Sequence, residues 1–242
     1  MQLRAHARCV FRPRMTPMRR FHRLFAPVAL AAWLASAPLA NAATDNLMVN
    51  GSLSGAIGNS SVPMGWQILL NSPDVMDAAN NAGVAGLQFF GAAPEASPDG
   101  GTWVGLGART GSYMEEFGQW VDNLVIGQTY SLSWVAGNFG YSRGSVNYVD
   151  SNAIRVNLDG SLLGTGNTLN LGSQWQAETL SFVATTTRQQ VSFQLANYNN
   201  AYLSIDGIRL AAVSPVPEPG SLALALLGLG ALAWRARQRQ QA

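Results

Sequence analysis

Through the middle of the chain, apolar and polar residues alternate in short runs. Tyr130, Leu132 and Trp134 alternate with Ser131 and Ser133, and Ile154, Val156 and Leu158 with Arg155 and Asn157. Leu180 and Phe182 alternate with Thr179 and Ser181. Val191, Phe193 and Leu195 alternate with Ser192 and Gln194. A period of two with one apolar face predicts strands of antiparallel sheets packed face to face. Gly127-Gln128 turns the chain before one run, and Asp159-Gly160 is a tight hairpin signal after another. Between residues 43 and 213 lie 22 glycines, with many Asn and Ser, which bound the runs as turns. Only residues 74–87 read as able to hold a short helix, and Gly83 and Gly86 limit it. No internal repeat is evident. The expectation is all-β: a single jelly-roll β-sandwich over residues 43–213.

Both ends depart from that pattern. Arg19, Arg20 and Arg23 precede an apolar run from Leu24 to Leu34, and Ala40-Asn41-Ala42 then supplies a small-x-small cleavage site. This is the layout of a secretory signal over residues 1–42, handled by the Sec export machinery. Cleavage at Ala40, Ala42 and Ala43 would start the mature chain at Ala43. Residues before Met15 or Met18 read as an over-long start. At the other end, residues 214–242 hold Val216, Pro217, Glu218, Pro219 and Gly220, then a charge-free run from Leu222 to Trp234, then Arg235, Arg237 and Arg239. The prolines keep the motif extended. The run 222–234 favours a short membrane helix, and the arginines stay on the cytoplasmic side.

This order of parts resembles the PEP-CTERM sorting signal. The resemblance implies recognition by an exosortase, an integral membrane transpeptidase-like enzyme, in a Gram-negative bacterium that makes exopolysaccharide or biofilm matrix. The tail is then a transient tether to the inner membrane, and the mature protein ends at the cell surface or in the extracellular matrix.

Charge sharpens the picture. The 242 residues carry 15 basic and 13 acidic side chains, net +2. All the basic ones are arginines, however, and only five lie between residues 43 and 213, against twelve carboxylates. A body at −7 without a lysine is a poor partner for nucleic acid, whose binding depends on neutralising phosphates. His6, His22 and Cys9 all precede residue 24. The body therefore has no imidazole, thiol or amine for nucleophilic catalysis, a Schiff base or a thiolate metal site. Carboxylate chemistry and oxygen-ligated calcium remain.

The strand signatures also resemble the galactose-binding-like jelly rolls, a group that includes many carbohydrate-binding modules. Asn46 to Ser52 and Pro63-Met64-Gly65-Trp66 match its opening. Gln119-Trp120-Val121 and Gly127 to Trp134 match its middle, and Leu203 to Ile208 its end. The resemblance implies a non-catalytic domain that binds exopolysaccharide through exposed aromatics.

The candidate ligand residues are Trp103, Trp120, Tyr113, Phe139, Tyr141 and Tyr148, with Trp66, Trp134 and Trp175 assigned to the core. For each of the six the alternative is packing, since sandwiches bury large rings readily. Asp206 with Asn50 is the candidate for a structural calcium that the resemblance implies, although one carboxylate falls short of six to eight oxygen ligands. Glu115 and Glu116 point to opposite faces if they lie on a strand, and they and Glu178 read as solvated charges. A matrix protein without a glycan ligand is the second reading, and a carboxylate-dependent glycoside hydrolase the third.

Overall fold

A computed structural model describes residues 45–79, 87–90, 94–213 and 219–240. The expected signal peptide and its cleavage residues, and Val216, Pro217 and Glu218, lie outside the described residues.

Two antiparallel sheets form the sandwich. The first contains β2 (Asp74–Met76), β4 (Trp103–Arg109), β7 (Thr129–Gly137), β12 (Gln176–Val183) and β14 (Ala201–Ala212), in the order β12-β7-β14-β4-β2. A two-residue strand, β5 (Tyr113–Met114), pairs with β4. The second sheet contains β1 (Gln67–Leu70), β6 (Glu116–Val121), β10 (Ile154–Leu158), β11 (Ser161–Thr165) and β13 (Gln189–Leu195), in the order β1-β6-β13-β10-β11. A third, small sheet joins β3 (Leu87–Gln88), β8 (Tyr141–Arg143) and β9 (Val146–Tyr148).

The alternating runs set the register. Cross-strand partners share a face, and Leu132 pairs with both Leu180 and Leu210. Phe193 pairs with Phe117 on one side and Val156 on the other. These inward side chains form one core with Trp66, Trp134 and Ile205. Phe117 and Phe193 stack at 5.6 Å and Trp66 packs on Phe117 at 5.0 Å, an aromatic centre worth ~0.5–1.5 kcal/mol per pair beyond area burial. At Asp159-Gly160 both residues take positive φ, 51° and 77°, the backbone of a two-residue turn between β10 and β11.

Two expectations are corrected. Asp74–Met76 is a strand paired with β4, and Leu87–Gln88 is a strand too; residues 80–86 of the expected helix lie outside the described residues. At the C-terminus, the helix α1 runs Pro219–Arg239, longer than the 222–234 read from hydropathy. Proline is tolerated in the first helical turn, where its missing N–H has no partner to lose, so Pro219 starts the helix instead of excluding it. Arginine is a good helix former, so the helix continues through Arg235 and Arg237. Among the described residues no helix is long and apolar enough to cross a membrane, contrary to the expected membrane-spanning segment. Thirteen apolar residues rise only ~20 Å, short of a ~30 Å hydrocarbon layer.

Amide side chains fasten the first described residues to the sandwich. Asn46 donates to Ile208 O at 2.9 Å and accepts from Leu210 N at 2.9 Å. Buried Gln119 accepts from Val49 N at 2.7 Å and donates to Val49 O and Gly65 O at 2.9 and 2.8 Å. Gln119→Ala strands these groups, so it should cost ~1–3 kcal/mol, read as a lower urea midpoint with an unchanged slope.

Candidate functional site

Around β4 the outward face of the first sheet carries a second layer instead of meeting solvent. On β4 the outward positions are Trp103, Gly105, Gly107 and Arg109. Their partners on β14 and β2 are Tyr202, opposite Gly107; Ser204 and Asp74, opposite Gly105; and Met76, opposite Trp103. The two glycines leave a shallow floor. A Cβ on Gly105 would lie 2.2 Å from the Tyr202 hydroxyl, and one on Gly107 would lie 3.2 Å from Glu115 Oε2. Tyr202 thus lies flat across the strand and donates to Asp74 Oδ2 at 2.8 Å. Tyr141 stacks on Tyr202 at 4.4 Å, and Tyr148 meets it edge-on at 6.2 Å. The β8–β9 hairpin is therefore a cover over the sheet, built from the aromatic stretch 138–148.

Under that cover is a cavity of about 150 Å³, well above the ~10–15 Å³ that a single water needs. Its wall brings together Asp74, Glu115, Tyr113, Tyr141, Tyr148 and Tyr202, with Arg109 and Arg143. Glu115, between β5 and β6, accepts from Tyr113 at 2.5 Å and from Gly107 N at 2.5 Å. Ser72 shares a hydrogen bond with the Tyr113 hydroxyl at 2.7 Å. Asp74 also accepts from Ser60 N at 3.1 Å. The Arg109 guanidinium lies 4.1 Å over the Tyr113 ring.

Burial dominates the electrostatics here. Loss of hydration pushes Glu115 up from 4.5 to about 8, against the hydrogen bonds from Tyr113 and Gly107 and with help from the nearby Asp74 charge. The Asp74 carboxyl is raised too, again mainly by burial, with the Tyr202 hydrogen bond opposing. All four phenols are raised, first by burial, and so remain O–H groups at neutral pH. The cavity can therefore present a protonated Glu115 carboxyl beside a second raised carboxyl, Asp74, with phenolic donors around them.

The expected site residues divide. Tyr113, Tyr141 and Tyr148 come together at the cavity. Trp103 is fully buried, with Trp175 against it at 5.2 Å, so it offers no platform for a ligand. Phe139 is buried at 4% exposure and also packs on Trp175, at 5.2 Å. Trp175 itself is half-buried at the rim of this cluster, not in the central core. Trp120, 41% exposed, stands on the outer face of the other sheet with Arg188 4.9 Å over its ring.

The carboxylates read as solvated are not. Glu115 and Glu178 are buried, and Glu116 accepts from Ser192 at 2.5 Å and Asn157 at 3.1 Å. The calcium pair does not form. Asn50 spends its side chain on Ser54 and Met64, whereas Asp206 is fully buried and accepts from Ser97. Its other oxygen, Oδ1, has no hydrogen-bond partner, and burial raises the group to about 7, which disfavours the ionised form a cation needs. Among the described residues no three His, Cys, Asp or Glu side chains cluster as a metal site.

Sequence reasoning missed Asp74, Arg109 and Tyr202, while Arg143 belongs to the loop stretch 138–148 that the sequence singles out for its three aromatics and its arginine. The available signal was glycine at alternate positions of a strand, which marks a close approach of another group to the backbone.

Raised carboxyls set the sign of the pH response. The folded state holds protons that the unfolded chain releases between the ordinary 4.5 and about 8 for Glu115, so stability falls as pH rises through that window. Melting temperature should drop from about pH 5 to about pH 9, and Glu115→Gln should remove on the order of a few kcal/mol of that fall. Thermal melts across the range check it.

Among solved structures, the chain is similar to a cyclase from Fischerella sp. TAU, 16% identical over 67% of this chain and 89% of that one, TM-score 0.47. It is also similar to TmCBM61 in complex with β-1,4-galactotriose, 15% identical over 70% of this chain and 100% of that one, TM-score 0.43. A third is the CBM22-1 xylan-binding domain of Paenibacillus barcinonensis Xyn10C, 11% identical over 72% and 97%, TM-score 0.41. No curated protein matches the chain. Residues 215–240 match the PEP-CTERM protein-sorting motif, so the chain carries at that end the sorting signal of an exported, exosortase-processed protein.

Proposed function

We propose that this is a Sec-exported surface or biofilm-matrix protein, released from its inner-membrane tether by an exosortase, whose sandwich binds exopolysaccharide without cleaving it. The supporting observation is the cavity on the first sheet. Three tyrosines singled out as ligand candidates converge there with two carboxyl groups and two arginines. A sugar needs an apolar ring face to pack on and polar groups for its hydroxyls, and this wall supplies both. The domains follow the same reading: a signal peptide over 1–42, the binding sandwich over 43–213 and the sorting tail over 214–242. Trp120 offers a separate, more open ring on the other sheet.

Asp74 and Glu115 favour a second reading, a carboxylate-dependent hydrolase. One cavity holds both, and their environments push Glu115 toward the protonated form an acid catalyst requires. Both are already committed to hydrogen bonds within the protein, which fits a positioning role better than a catalytic one.

Isothermal titration of the purified full-length protein with exopolysaccharide from the producing strain tests the proposal. Saturable binding is expected, weakened about tenfold in Tyr113→Ala, which removes a ring and a hydroxyl together worth ~1–2 kcal/mol. Loss confined to Trp120→Ala would move the site to the other sheet. No heat from folded protein would leave a structural matrix role, and release of reducing ends, abolished in Glu115→Gln, would establish the hydrolase.

A further inference from the structure

Two of the body's five arginines stand at one cavity of a domain that is otherwise acidic. Arg109 and Arg143 are both exposed, and neither forms a salt bridge among the described residues, where the one ion pair joins Arg188 to Asp122 at 3.3 Å. The carboxyls beneath offset them only in part, since burial raises both Glu115 and Asp74 toward their neutral forms, although Asp74 still interacts with Arg143. Glu115 keeps its proton at neutral pH, and the direct hydrogen bonds to both Asp74 oxygens come from Tyr202 and Ser60, not from either arginine. Tyr113 covers one face of the Arg109 guanidinium, which orients that side chain while leaving its in-plane N–H donors available. Two guanidinium groups on one cavity wall, neither in a salt bridge among the described residues, present charged N–H donors to an incoming anion.

Guanidinium forks match a planar carboxylate in shape and charge better than they match a hydroxyl. The rest of the wall, Tyr113, Tyr141 and Tyr148, suits a sugar ring. We propose that the cavity takes an acidic sugar, a uronate residue of a polysaccharide, with its carboxylate held by Arg109 and Arg143 and its ring among the tyrosines. This rests on the glycan-binding reading of the same cavity and adds the ligand class.

Titrations of the full-length protein with oligogalacturonate, the matching neutral oligogalactan, and sodium acetate separate the outcomes. Oligogalacturonate should bind about tenfold tighter than oligogalactan at low salt, and its affinity should fall as salt is raised. Arg143→Gln and Arg109→Gln, checked for folding by circular dichroism, should each bring the two oligosaccharides to within about threefold while neutral binding persists. Equal binding of both by the unmodified protein would overturn the acidic class and leave the glycan reading standing. Binding of neither would end both. Acidic binding unaffected by either substitution would place the ligand elsewhere, and acetate competing as well as the uronate would show a simple carboxylate site with no role for the sugar.

Discussion

The site depends on how closely one tyrosine can lie against a strand. Tyr202 crosses β4 at Gly105, and its hydroxyl occupies space that any β-carbon there would fill. From that position it bonds to Asp74 and gives Tyr141 a ring to stack on. The hairpin that carries Tyr141 and Tyr148 is thereby seated, and the cavity beneath it has a roof. Gly107 makes the same accommodation for Glu115. One contact thus links floor, carboxyl groups and cover, and packing of this kind leaves little tolerance for added volume.

The two sheets consequently differ in what they show to solvent. Around β4 and β2 the first sheet is covered on both faces, by the central core inside and by the aromatic layer outside, so every residue of β4 except Arg109 is buried. At the other edge of this sheet, β12 keeps an exposed outer face. The second has one covered face. Its outward positions hold Trp120, beneath the Arg188 guanidinium, and Glu116, which accepts from Ser192 and Asn157. This acidic domain buries four carboxyl groups, Asp74, Glu115, Glu178 and Asp206; each accepts at least one hydrogen bond, and burial raises the proton affinity of Asp74, Glu115 and Asp206.

Strands with one wet face were legible in the sequence because serine, threonine and glutamine mark that face in β7, β12 and β13. The Asp159-Gly160 turn and the C-terminal signal were equally readable, since each is local. β4 was harder. In Trp103 to Ala108 no polar residue marks either side, because both sides are buried, and the direction of Trp103 could not be told from alternation. The cavity was hidden for a different reason. Asp74 and Glu115 are forty-one residues apart in the chain, and nothing local relates them until β2 and the β5–β6 junction both meet β4. Tyr141 and Tyr148 read as loop aromatics because Gly140 and Gly144 suggest turns; the chain does turn there, but into a hairpin.

The position of β14 governs when this molecule can assemble. It is the last strand in the sequence, yet it lies in the middle of the first sheet, between β7 and β4. Asn46 closes against Leu210, 164 residues away. Until residue 210 has emerged, β4 and β7 have no strand between them and the amino-terminal segment has nothing to close on. Contacts so distant in sequence form slowly, because the loop must be ordered before they repay it. A chain threaded outward from its N-terminus therefore remains open for almost its whole passage, and closes only as the segment leading into the sorting signal comes through.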